Sequence, residues 1–387
     1  MLGVLLALVS PSCGSPGRRE EPTAALAPRR AAPAPKPDAP STEALPPLMP
    51  PTPEGPAGVY EATVTGPLSP AVEGVPARAY VPNSLANTVD VIDTATFEVV
   101  DRFPVGKGPQ HVTPSYDLRQ LYVDNTAGDS LTPIDPMTGT PGPPIPVVDP
   151  YNLYFTPDGT RAIVVAERYR RLDVRDARTW ELVKSVPLPH AGPDHLDFSA
   201  DGRYFVISCE FSGWLVKVDT ERMEVVGDLH VGGSPVDVRL APDARSFYVA
   251  NQNRPGHRDG VHLIDGETMQ ETAFVETGKG THGLYFSRDA RSLYATNRLE
   301  GSVAVLDVAT NTVTARWEIP GGSPDMGGVS ADGSQFWVTG RYHSEVYVID
   351  TTSGALIRRI PVGDGAHGLA LFPQPGRFSL GHTGNYR

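Results

Sequence analysis

The chain has 387 residues with 40 Pro, 39 Gly and 40% hydrophobic residues, too rich in turn formers for a helical bundle and typical of many short strands joined by tight turns. Its 33 Lys and Arg face 45 Asp and Glu, a formal charge of -12 that argues against nucleic acid as a partner. Cys13 and Cys209 stand without a CxxC or CxxCH, so a disulfide framework, a cysteine zinc site and an attached c-type haem are excluded, and any metal must be held by histidines and carboxylates.

In chain order, the apolar run at residues 2–9 is too short to span a bilayer but has the length of a signal h-region. With the small residues before Cys13 it predicts an exported protein, periplasmic or at the cell surface, touching the membrane only through a lipid anchor on Cys13. Residues 1–13 are thus read as a signal, residues 14–58 as a Pro/Ala-rich extended tether, and residues 59–387 as the folded part.

From residue 78 one pattern recurs: a strand ending in a Pro-Asp-Gly-like turn, a strand such as LYVDN, a strand closing on Asp, and a fourth closing on Val-Gly or similar. The third-strand aspartates are Asp93, Asp135, Asp176, Asp219, Asp265, Asp307 and Asp350, with spacings of 42, 41, 43, 46, 42 and 43. Four short strands in a period of this length are a propeller blade. Segments such as TVDVID, WLVKVD and SVAVLD are alternating or wholly apolar, as sheets packed face to face require, and Asp158-Gly159, Asp201-Gly202 and Asp332-Gly333 supply tight turns. The expected fold is an all-β, seven-bladed β-propeller of four-stranded antiparallel blades, closed by pairing of N- and C-terminal strands. Residues 79–83, 88–93 and 99–105 form the outer part of blade 1, and residues 368–372 form its innermost strand. Residues 373–387, PQPGRFSLGHTGNYR, read as one more strand without a place in a seven-fold count, left to cap the ring or cover its mouth.

LAPDARSFYVANQ (240–252), FSRDARSLYATN (286–297) and TVDVID (88–93) resemble the YVTN-type repeats of bacterial and archaeal seven-bladed propellers, over about residues 78–373. AIVVAER in blade 3 and YFVISCE in blade 4 depart from the repeat by losing its terminal Asn. The resemblance implies the fold and is nearly silent on chemistry.

Chemistry is expected where the loops entering the innermost strands converge. The lead-in segments GPQHV, DPYNL, GPDHL, SPVDV, GTHGL, SPDMG and GAHGL place His111, Asn152, His195, Asp237, His282, Asp325 and His367 at the channel mouth, one per blade. His111, His195, His282 and His367 suit a divalent transition metal, and nitrous oxide reductase, whose propeller holds copper through inward-facing histidines, is an analogue at the level of fold. Against this, His111 and His195 lie six residues before their turn Asp or its equivalent and His282 lies seven, so their side chains are expected to point apart, leaving a polar lining bonded to backbone as the alternative. Arg168, Arg170, Arg171, Arg254, His257, Arg258, Arg298 and Arg341 on the second-to-third strand loops form a cationic rim that would focus a small anionic ligand, unless Glu167, Asp259 and Glu300 pair them off.

GPDHLDFSADGRYFVISCE (192–210), and less fully GPQHVTPSYDLRQLYVDN (108–125), look like a stretch of the 6-phosphogluconolactonase-like propellers. That likeness implies His195 and Glu210 as general acid and base in lactone opening, although Asp194 stands where the family has Arg. Cys209 is read as a buried, inert thiol, and Asn125, Asn251 and Asn297 as loop-bonding residues. No GxSxG, HExxH or Walker loop occurs. The sequence therefore points to an exported binding or scaffold protein that holds a small ligand, a metal or an envelope protein at its channel mouth and top-face loops. A lactonase-like or metal-dependent enzyme is the alternative, and a structural envelope protein the third class.

Overall fold

Strand by strand, burial falls from the centre outwards. PDHLDF (Pro193–Phe198) and YFVISC (Tyr204–Cys209) are buried throughout, while EVVGDLH (Glu224–His230) has exposed and half-buried residues only. This gradient explains why second strands such as YFVISC read as near-continuous apolar runs, while the innermost strand buries Asp194, His195 and Asp197 as well. The computed structural model describes residues 58–64, 68–252 and 256–387, so the signal, most of the tether and Arg254 lie outside the described residues.

The strands form seven antiparallel sheets, the blades of a seven-bladed β-propeller. Six have four strands. In blade 2 the outermost strand is split into Thr140–Pro141 and Ile145–Pro146, both paired with Ser130–Asp135, because the prolines of TPGPPIP donate no ladder hydrogen bonds. The periodic aspartates have a structural cause: each accepts backbone N–H bonds from the turn into the outermost strand. Asp93 accepts from Ala95 and Thr96 at 2.9 Å, and Asp265 from Glu267 at 3.1 Å and Thr268 at 2.8 Å. These donors hold the Asp93 carboxyl below its usual range and, with Arg245 adding to them, that of Asp265 down to about 2.

Blade 1 is closed as the sequence requires, with Ala370–Phe372 innermost, followed by Arg78–Asn83, Thr88–Asp93 and Glu98–Pro104. The closing strand is shorter than residues 368–372 because Gly368 pairs in the other direction, donating its N–H to Gln110 O (2.9 Å) and accepting from Val112 N–H (3.0 Å).

Residues 373–387 are not a blade strand. They turn back into the central bore from the end opposite the lead-in segments and run antiparallel to blade 3's inner strand, Asn152–Phe155: Phe155 N–H donates to Leu380 O (3.0 Å) and His382 N–H to Leu153 O (2.8 Å). The chain reverses over residues 381–384 and returns, Leu380 N–H bonding Asn385 O and Arg387 N–H bonding Phe378 O. This hairpin plugs the bore. Its base is fastened by a buried ion pair, Arg387 Nη2 lying 2.8 Å from both oxygens of Asp197, and by Phe378 stacked on Tyr116. The short 3-10 helix Gly58–Thr63 covers the same end, Tyr60 lying beneath the Arg387 guanidinium and donating its hydroxyl to Leu240 O. No helix among the described residues is long and apolar enough to cross a membrane.

Candidate metal centre at the head of the channel

Five blades share one irregularity at the start of their inner strands. The register against the second strand slips between Pro109 and Val112, Pro193 and Leu196, Pro235 and Val238, Thr281 and Leu284, and Pro324 and Gly327. Each slip frees two residues from the ladder, and a bulge of this kind re-aims side chains. The freed residues include His111, Asp194, His195, Asp237, His282 and Asp325. The strict two-residue alternation that predicted diverging histidines holds only in a regular ladder; here the bulges absorb the one-residue offset and bring the imidazoles together.

Ring centroids of His111 and His195 are 5.5 Å apart, His111 and His367 4.8 Å, His195 and His282 6.4 Å, and His282 and His367 5.9 Å. A fifth imidazole, missed by the sequence reading, joins them from the hairpin tip: His382 lies 4.6 Å from His195 and 5.1 Å from His111. The ligand nitrogens of His111, His195 and His382 all lie within 4.8 Å of one another. All five rings are buried, from 0% exposed at His111 to 3% at His282.

Nδ1 faces Tyr151 O in His111 (2.8 Å), Asn152 Oδ1 in His382 (3.0 Å) and Asp325 Oδ2 in His367 (2.8 Å), while His282 Nδ1 bonds Met326 Sδ (3.1 Å) and lies 3.0 Å from Asp325 Oδ1. His195 Nδ1 lies 2.8 Å from Asp194 Oδ1, out of line for a hydrogen bond. Asn152 presents its oxygen to His382 because its Nδ2 donates to Asp194 O (3.2 Å). Carbonyl, carboxamide and carboxylate oxygens accept, so in His111, His367 and His382 the proton sits on Nδ1 and the lone pair on Nε2. The Nε2 atoms of His111, His195 and His382 have no hydrogen-bond partner among the described residues.

Burial, with the neighbouring imidazoles and arginines, pushes His111, His282 and His382 well below the usual histidine range and His195 and His367 to about 4. The imidazoles are therefore neutral at pH 7, the form that binds metal. Burial also raises carboxyls, and Glu167, crowded further by Asp194 and Glu210, is pushed up to about 9. At Asp325 the same burial is outweighed by His282, His367 and Arg298, which hold its carboxyl well below the usual range.

The remaining sequence candidates divide. Arg298 Nη1 bonds Asp325 at 3.1 Å and Arg341 Nε lies 3.8 Å from its other oxygen, so both belong to the histidine cluster. Glu210 follows blade 4's second strand, where its charge acts on His195, Glu167 and Arg298. Asp237 joins blades, accepting from Leu284 N–H at 2.8 Å beside Arg239. Arg168 stands apart, half exposed, paired with Asp129 and Asp149 rather than Glu167. His257 lines a separate cleft in blade 5 with Arg258, His262 and Glu271. The Cys209 thiol is buried, which pushes it up to about 12 and leaves it unreactive. Asn251 and Asn297 bond the loop carbonyls Arg258 O and Thr277 O, as expected, whereas Asn125 bonds the strand side chains Ser130 and Thr132.

A family model described as YNCE-like beta-propeller matches residues 56–177 and 255–375. Among curated proteins, the uncharacterized protein YncE of Salmonella typhi is 30% identical over 110 residues, 27% of this chain and 31% of that protein. YncE of Escherichia coli (strain K12) is 26% identical over 156 residues, 39% of this chain and 42% of that protein. The matches thus span 31% and 42% of these relatives, less than half of either. Among solved structures, Kuenenia stuttgartiensis hydrazine synthase aligns with a TM-score of 0.58 at 20% identity, covering 67% of this chain and 88% of that one. The dihydro-heme d1 dehydrogenase NirN in complex with DHE aligns at 0.59 and 17% identity, covering 80% and 79%. A functionally unknown protein from Desulfotomaculum acetoxidans DSM 771 aligns at 0.63 and 14% identity, covering 76% and 98%. At these identities the likeness to the solved structures is one of fold.

Proposed function

The chain belongs to the YNCE-like β-propeller family, and on that framework we propose that it is a metal-binding protein whose channel head holds a divalent transition metal on His111, His195 and His382. One observation carries the reading. Imidazoles from separate blades and from the hairpin bring ligand nitrogens within 4.8 Å of one another in a buried space, and the Nε2 atoms of all three have no hydrogen-bond partner among the described residues. Leaving a buried acceptor unsatisfied costs about 1–3 kcal/mol, so three at one point make a poor structural device and a good ligand set. Metal-binding histidines characteristically give their other nitrogen to a carboxylate or carbonyl, which fixes the ring and raises its basicity. Tyr151 O and Asn152 Oδ1 stand in that position for His111 and His382, and Asp194 Oδ1 lies 2.8 Å from His195 Nδ1.

Imidazole suits zinc, copper, iron or nickel, and three protein ligands leave a coordination position open. His282 and His367, both tied to Asp325, flank the trio and shape that open side. The test is the elemental content of the full chain purified without chelator. About one equivalent of a transition metal is expected, lost in His111→Ala, His195→Ala and His382→Ala but kept in His262→Ala, a buried histidine outside the cluster. A folded protein that carries no metal and takes up neither zinc nor cobalt at micromolar concentration refutes the proposal.

A further inference from the structure

The head of the channel has two chemically different sides, and they point to a second component. On one side are the Nε2 acceptors of His111, His195 and His382, with Asp194 and Glu210 close by. On the other are two guanidiniums. Arg298 follows Ser292–Asn297 in blade 6 and Arg341 follows Gln335–Gly340 in blade 7, equivalent loop positions that bring both onto Asp325. Asp325 carries one negative charge against the two positive charges of the arginines, and its oxygens are already engaged by His282 and His367. Glu210 also acts on Arg298, and neither arginine sheds its proton. Donors remain as well: Arg298 Nε and Arg341 Nη1 are buried and have no hydrogen-bond partner among the described residues.

We propose that the metal's open position takes a small oxyanion or carboxylate, one oxygen towards the metal and another on Arg298 and Arg341; this rests on the metal reading above. The chemistry limits the choice. A ligand filling this space meets unpartnered donors on the arginine side and a Lewis acid on the histidine side, and both demand electron-pair donors, which a compact anion with two or more oxygens supplies. An ammonium-bearing ligand would face the guanidinium charges. Access agrees with this order: the Arg298 and Arg341 side chains are 16% and 24% exposed whereas His111 and His195 are fully buried, so a ligand from solvent meets the guanidiniums before the imidazoles.

Cobalt(II) bound to the full chain provides the readout, since its visible bands respond to ligand exchange. Acetate and inorganic phosphate are titrated against the cobalt protein, with imidazole as an uncharged ligand for the same open position. A saturable spectral change is expected with acetate or phosphate. Its apparent affinity should fall about tenfold or more in Arg341→Gln and Arg298→Gln and recover in part in Arg341→Lys, while imidazole binds parent and variants alike. Cobalt bands that ignore both anions, or anion affinities equal in parent and variants, overturn the anion proposal and leave the metal reading standing. Failure of the folded protein to bind cobalt at all overturns both.

Discussion

The hairpin that delivers His382 is held at its base by Arg387, and replacing that residue with alanine tests whether a buried ion pair controls the channel head from its far end. Asp197 is fully buried and Arg387 is 2% exposed. Arg387 Nη2 lies 2.8 Å from both carboxylate oxygens, and Asn385 Nδ2 donates at 2.7 Å. The backbone N–H groups of Phe198 and Leu240 each add a bond of 2.8 Å. Removing one partner of a buried pair typically costs about 3–5 kcal/mol because a charge is stranded. The three other donors to Asp197 soften this, so Arg387→Ala should cost roughly 2–3 kcal/mol, a fall in Tm of about 5 °C for a propeller of this size. The double variant Arg387→Ala with Asp197→Asn should lose about 1–2 kcal/mol less than the two single losses added, because the stranded charge is gone. Differential scanning fluorimetry of the four proteins measures stability, and cobalt titration of each measures the site. Cobalt affinity should weaken in Arg387→Ala although residue 387 is no ligand, because the hairpin carrying His382 is loosened. A single variant within about 0.5 kcal/mol of the parent and unchanged in cobalt affinity would refute the reasoning.

Two further outcomes are expected. The histidine cluster makes the metal-free protein acid-labile: His195 and His367 titrate at about 4 when folded and near 6.5 when unfolded, so below pH 6.5 the unfolded chain binds more protons than the folded one. Stability is therefore full above pH 6.5 and falls towards pH 4, by as much as roughly 3 kcal/mol per histidine, and melting at pH 7, 5.5 and 4.5 should show the decline; a flat profile contradicts the burial argument. A methyl group on Gly368 would sit 2.1 Å from His111 Cδ2, so Gly368→Ala must displace that ring, and zinc affinity by competition with a chromophoric chelator should drop about tenfold or more while circular dichroism keeps its β signature. Unchanged zinc affinity would take His111 out of the site.

How much was legible in the sequence follows from the range of the forces involved. The blades were legible because their signals are local. Asp93 and its six counterparts are fixed by N–H groups two and three residues away, and the burial gradient across a blade is written in four consecutive segments. Ring closure was legible because one strand was missing at the start of the repeats and one was left over at the end. The convergence of His111, His195 and His282 was not, because the bulges that aim them disturb the very alternation used to judge direction. The signal was nevertheless present, since Pro109 and Pro193 open the slips in blades 2 and 4, and a proline opening a strand beside an unpaired residue is a bulge mark.

Residues 373–387 were illegible for a different reason: they obey no repeat. Their partners, Tyr116, Leu153, Asp197 and Leu371, belong to four different blades, so no local periodicity encodes the hairpin. One clue is visible in retrospect. LGHTGN places a histidine between two glycines, and Gly381, at φ +102°, has no room for a Cβ, which would lie 2.4 Å from Leu153 O. A glycine forced against an inner strand puts the following histidine level with Asn152, whose oxygen then fixes its tautomer. Blade positions alone bring four histidines to the channel head, but His282 and His367 are committed to Asp325 beneath two arginines, which disfavours a cation on that side. On the proposed metal reading, the hairpin resolves the asymmetry by adding the third ligand beside His111 and His195, away from Asp325 and its two arginines. Metal affinity and the seating of residues 373–387 are consequently one equilibrium: whatever frees the hairpin lowers affinity, and bound metal must protect the hairpin from exchange and proteolysis to the same extent.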